Sequence, residues 1–205
     1  MLFTPRSIST EVIKLCNRVV PQGLPVYVPV RPQDFSIERE CFQNVEQMIK
    51  LNHGQMIYGW QIWERLHLFL EAEFHAIWLS PNGEFIDITP KDIPTKQILF
   101  LRDPSKIYEG TQTDNIRFPL TNDPLLTEYF RLWKLHFDAM NRGSLREHHG
   151  EVTLRGDDVT NYERMQEIEI IFAKKYTKRN DPCSCGSGLK IKKCTCGFGR
   201  LLGIQ

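Results

Sequence analysis

The sequence predicts an α+β protein: a helix-plus-antiparallel-sheet body, followed by a helical stalk that carries a small cysteine-rich end. Three observations predict it. Apolar residues recur at helical spacing in four segments, two near the N-terminus and two in the second half. Between the pairs lie two strand-like runs and the turn signal Pro81-Asn82-Gly83, the pattern of a hairpin. Four of the 6 cysteines then crowd into residues 183–196.

The elements follow in order. Residues 8–20 place Val12, Leu15 and Val19 on one helix face, and Pro21 ends the run. Residues 25–32 are proline-rich and extended. In residues 37–51, Phe42, Val45, Met48 and Ile49 recur at helical spacing, with Ser36 available as a cap and Gly54 at the stop. Residues 56–63 and 66–79 read as strands, and residues 84–89 as the strand returning from the turn. Trp60 and Trp63 fall on opposite strand faces, which puts at least one of them in the core. Residues 90–122 are broken by Pro90, Pro104 and Pro119 and leave one further strand, residues 98–101. Residues 124–140 form a helix with Leu125, Tyr129, Leu132 and Phe137 near one face. A polar break with Gly143, His148, His149 and Gly150 precedes the last helix, residues 159–176. The expected domains are residues 1–150, a linker and stalk at 151–178, and a terminal module at 179–205.

The chain has 205 residues, 41% of them hydrophobic, and a formal charge of +1, enough for one packed body and an appendage. Near-neutral charge gives no global case for nucleic acid, and no apolar run approaches membrane-spanning length. The charge is uneven, however: residues 174–200 hold eight Lys or Arg against the single acid Asp181. That tail suits an acidic protein or RNA phosphates, or is simply solvated. With no leader-like N-terminus, the expected location is the reducing cytoplasm.

Cys183 and Cys185 form one CxC pair, Cys194 and Cys196 a second, and Gly and Lys residues fill the gap. Zinc takes four thiolates in a tetrahedron, and a short glycine-rich loop folds two pairs onto one ion. Gly186 and Gly188 allow the positive φ of a tight ligand loop, while Lys190, Lys192 and Lys193 offset thiolate charge. The competing reading, two disulfides, suits a secreted scaffold. The stretch Asn-Asp-Pro-Cys-x-Cys-Gly-Ser-Gly, followed by Lys-Lys-Cys, resembles the SEC-C motif, a zinc knuckle appended to many unrelated proteins. The family sets its fourth ligand directly after the third, where this chain has Thr195 and then Cys196. The resemblance implies a structural zinc ion and docking to a protein or ribosomal surface.

A second pattern is the ordered trio Cys41 on a helix, His75 on a strand and Asp87 on the next strand. A thiol nucleophile needs a base, and the base needs an orienting carboxylate. Glu71 and Glu73 lie on the face of His75 and are alternative orienting groups; Gln33 and the Cys41 N–H are candidate oxyanion donors. A cysteine on an amphipathic helix and a histidine between apolar neighbours are also ordinary core residues. The turn decides whether the trio is feasible. A two-residue loop pairs Pro81 with Glu84 and turns His75 and Asp87 to opposite faces, whereas a three-residue loop pairs Ser80 with Glu84 and brings them to one face. With Cys41 opening Cys-Phe-Gln-Asn-Val, His75 in Phe-His-Ala-Ile-Trp and Asp87 in Ile-Asp-Ile-Thr-Pro, the segment resembles the transglutaminase-like branch of the papain-like cysteine enzymes. That resemblance implies thiol-mediated acyl transfer on amides: peptidase, amidase, deamidase or transglutaminase. The alternative is a non-catalytic adaptor that docks a protein or ribosomal partner through the zinc knuckle.

Overall fold

A computed structural model describes residues 2–93, 95–147, 152–183, 185 and 187–203. His148, His149 and Gly186 lie outside the described residues. By its internal contacts the chain divides into two compact units, Leu2–Arg65 with Phe69–Leu120, and Leu66–Leu68 with the chain from Thr121 onward.

The first unit is an antiparallel sheet with two helices. Its strands are β1 (Val26–Pro29), β2 (Gln55–Arg65), β3 (Phe69–Leu79), β4 (Phe85–Ile86), β5 (Gln97–Arg102) and β6 (Ile116–Pro119), in the order β1-β5-β2-β3-β4 with β6 also beside β3. The sheet curls until its edge segments meet. Just past β1 and β4, Val30 and Asp87 form a parallel bridge, with Asp87 N donating to Pro29 O (2.9 Å) and Arg31 N to Asp87 O (2.8 Å).

Strand alternation gives this curled sheet two apolar faces. On one, Val12, Leu15 and Cys16 of α1 (Thr10–Val19) pack with Trp60, Ile62, Leu70, Leu99 and Leu101. On the same face Cys41, Val45 and Met48 of α2 (Cys41–Asn52) pack with Ala76, Trp78, Ile86 and Ile88. The other face clusters Val28, Ile57, Ile77, Ile98 and Phe100. So few strands enclose room for side chains only, so the helices lie outside and the second cluster fills the inside. Gly59 belongs to this tight interior: a Cβ there would meet Leu101 O at 2.3 Å and the Phe100 ring at 2.5 Å.

Local chemistry explains where the elements differ from expectation. The Ser9 side chain accepts from Val12 N (3.3 Å), so α1 starts at its cap. By contrast, α2 begins at Cys41, without a Ser36 cap. Asn44 straps the preceding segment by accepting from Ile37 N (2.9 Å) and donating to Ile37 O (2.8 Å), while Arg39 sits at φ +66, outside the helical region. The proline-rich segment contains β1, which tolerates Pro29 because it lies at the sheet edge. Strand β6 escaped the sequence reading because four residues ending in proline carry little alternation; Glu71 of β3 and Arg117 of β6 hold it with a buried ion pair of 2.8 Å.

In the second unit, Asp123 caps α3 (Pro124–Met140) by accepting from Leu125 N (3.0 Å), and its other oxygen accepts from Lys175 Nζ and Tyr176 OH, each at 2.8 Å. Those two residues end α4 (Asp157–Tyr176), so the helices run antiparallel, with the Tyr129 and Phe172 rings edge-on at 5.4 Å. The expected stalk is one arm of a helical hairpin. The division between units falls at 120/121, whereas the sequence reading drew it at 150; α3 buries its apolar face against α4.

Candidate functional site

The turn after β3 is the three-residue one. Trp78 pairs with Ile86 and Leu79 with Phe85, Gly83 is left-handed (φ +82), and Gly83 N donates to Ser80 O at 2.9 Å. His75 and Asp87 therefore share the inner face. His75 Nε2 stands 3.2 Å from Asp87 Oδ2, and the second carboxylate oxygen accepts from Thr89 N at 3.0 Å. Both side chains are buried.

The group that sequence reasoning missed is Lys91. Its Nζ lies 2.6 Å from Asp87 Oδ2, 3.5 Å from His75 Nε2, and donates to Gln61 Oε1 at 3.0 Å. Lys91 follows Pro90 in an irregular segment, and only the four-residue step from Asp87 hinted at it. Burial and the Lys91 ammonium both push the His75 pKa down, yet the Asp87 carboxylate, with a smaller contribution from nearby Cys41, outweighs them and lifts it to about 9. Burial raises the Asp87 pKa, but His75 and Lys91 bring it down to about 2. Every Asp87 and Lys91 contact falls on Nε2, leaving Nδ1 as the imidazole nitrogen for any exchange with a thiol.

Cys41 is near enough to His75 to act on its charge. It opens α2 as the first residue of that helix. But it is only 5% exposed, and it belongs to the outer-face cluster with Ala76 and Trp78, whereas His75 points inward. Among the described residues no hydrogen bond joins Cys41 to His75. The other candidates are engaged as well: Gln33 Nε2 donates to Arg31 O (2.9 Å), Glu71 pairs with Arg117 and accepts from Asn115 (2.8 Å), and Glu73 accepts from Trp63 Nε1 (2.5 Å). Trp60 is core, its Nε1 donating to Asp103 (2.9 Å).

In the second unit, the sulfurs of Cys183, Cys185, Cys194 and Cys196 all lie within 4.8 Å of one another, a set that can hold one metal ion. The 3.4 Å separations of Cys183 from Cys196 and of Cys185 from Cys194 exclude disulfides, whose sulfurs stand about 2.05 Å apart. They approach the roughly 3.8 Å edge of a tetrahedron with metal–sulfur bonds of about 2.3 Å. Backbone bonds shape the cradle: Cys183 N donates to Leu189 O (2.7 Å) and Ile191 N to Asp181 O (2.9 Å). Cys183, Ile191 and Cys194 form a small core against Phe198, opening α5 (Phe198–Leu201), and Thr195 points to solvent.

No helix among the described residues is long and apolar enough to cross a membrane. Comparison with known proteins finds no matching family model, curated protein or solved structure.

Proposed function

We propose that this chain is a zinc-bearing docking protein, in which the SEC-C-like knuckle presents a basic, partly apolar surface to an acidic protein or ribosomal partner. The four-thiol cluster carries the reading. Four thiolates suit zinc and complete its shell, leaving no position for a catalytic water, so the ion is structural. Around the knuckle, Leu189 and Leu201 are exposed beside Lys190, Lys192, Lys193 and Arg200. The zinc-loaded chain should bind a polyglutamate probe in a salt-dependent way and lose it when residues 179–205 are deleted. Equal binding by the truncated chain would refute the docking role.

One observation favours a second reading, thiol-dependent acyl transfer in a transglutaminase-like or papain-like body: Asp87 supports a basic His75, and Cys41 opens a helix. In that chemistry Cys41 attacks an amide carbonyl, His75 accepts and returns the proton, and Asp87 orients the ring. Alkylation of the zinc-loaded chain at neutral pH separates the readings. Docking alone leaves Cys41 as slow as Cys16, whose thiol burial pushes up to about 11; an enzyme shows Cys41 reacting far faster, with that excess lost in His75→Gln.

A further inference from the structure

Neither reading uses Lys91 and Gln61, yet they complete a buried polar cluster at the inner face of the sheet. Lys91 reaches it from the segment after β4, His75 from β3, Gln61 from β2 and Asp87 from the bridge that joins the sheet edges. Donors outnumber acceptors. Asp87 offers one oxygen, because Thr89 N occupies the other, and that oxygen faces both Lys91 Nζ (2.6 Å) and His75 Nε2 (3.2 Å). Gln61 cannot help by flipping its amide: an ammonium only donates, so the 3.0 Å contact fixes Oε1 toward Lys91. This leaves Gln61 Nε2 buried, in a residue only 1% exposed, with no hydrogen-bond partner. A buried N–H donor without an acceptor costs on the order of 1–3 kcal/mol.

We infer that this cluster is a site for a small carboxylate or similar oxyanion, held by Gln61 Nε2 and the Lys91 ammonium. The guest must accept hydrogen bonds without donating, which a carboxylate does and an amide does not. It must also be negative. Lys91 and His75 both converge on the single carboxylate of Asp87, so an anionic guest supplies the second acceptor for that cationic pair. Glu73, paired across the strands with Gln61, is turned to Trp63 Nε1. With the Lys91 side chain 9% and the His75 side chain 6% exposed, access is too narrow for a peptide terminus, so the guest we assign is a small free monocarboxylate.

Acetate is the probe, with acetamide and sodium chloride at matched ionic strength as controls, read by the melting temperature of the full zinc-loaded chain and by calorimetry. Saturable stabilisation by acetate alone is expected. Gln61→Glu keeps the Lys91 contact and the side-chain shape but puts an anionic oxygen where the guest sits, so it should weaken acetate binding at least about tenfold. It should also melt higher than the parent in acetate-free buffer. Lys91→Met should abolish binding. Acetate acting no differently from chloride would mean that water satisfies Gln61, and undiminished binding by Gln61→Glu would locate the anion elsewhere; either result overturns the site.

Discussion

Asp87 Oδ2 lies 3.2 Å from His75 Nε2 and 2.6 Å from Lys91 Nζ, on the residue whose backbone bridges the two edges of the sheet. One carboxylate thus joins closure of the sheet to a buried cationic pair, and its surroundings set a pH signature.

The His75 pKa rises from 6.5 in the unfolded chain to about 9 when folded, so its stabilisation is complete below about 6.5 and disappears as pH rises through 9. Asp87 moves the other way, to about 2; its contribution is present above about 4 and fades as pH falls toward 2. Urea unfolding between pH 6 and 9.5 should show a loss of at most about 3 kcal/mol that His75→Gln abolishes. An equal slope in the variant would assign the pH dependence to other groups.

Replacing Lys91 with Met leaves Asp87 with one cationic neighbour inside the sheet. Breaking a buried pair on one side costs about 3–5 kcal/mol, and the loss should appear in the denaturant midpoint with little change in m-value. A change under about 1 kcal/mol would show that solvent reaches Asp87 freely.

Gly59→Ala tests the packed interior. The new Cβ would stand 2.3 Å from a backbone oxygen, Leu101 O, and backbone yields less readily than a side chain. The expected cost is roughly 3 kcal/mol or more, read by thermal unfolding. Parent-like stability would mean that β2 and β5 are less closely apposed.

The knuckle prediction is stoichiometric. Elemental analysis should give one zinc per chain, retained by Thr195→Ala and lost by Cys183→Ala and Cys196→Ala. Zinc kept by Cys196→Ala but lost by Thr195→Ala would move the fourth ligand.

Arg117→Met should destabilise by about 3 kcal/mol, because it strands Glu71 in a buried site; adding Glu71→Leu should recover most of that loss. If the double variant is as unstable as the single, β6 depends on Arg117 for packing rather than for charge.

Features that depend on a few neighbouring residues are legible in the chain alone. Pro81-Asn82-Gly83 makes the turn and CxC spacing gathers four thiols, because a turn and a chelating loop are short-range constraints that side-chain chemistry satisfies locally. Features that depend on which face a residue reaches emerge only when the elements pack. Choosing between the two loop lengths set His75 beside Asp87, and only curling of the sheet brought Lys91 and Gln61, on separate segments, to the same carboxylate. Packing also put Cys41 against the outer face while His75 turned inward. Chain order could not reveal that separation, because adjacent strand residues point to opposite sides and helix packing selects only one of them.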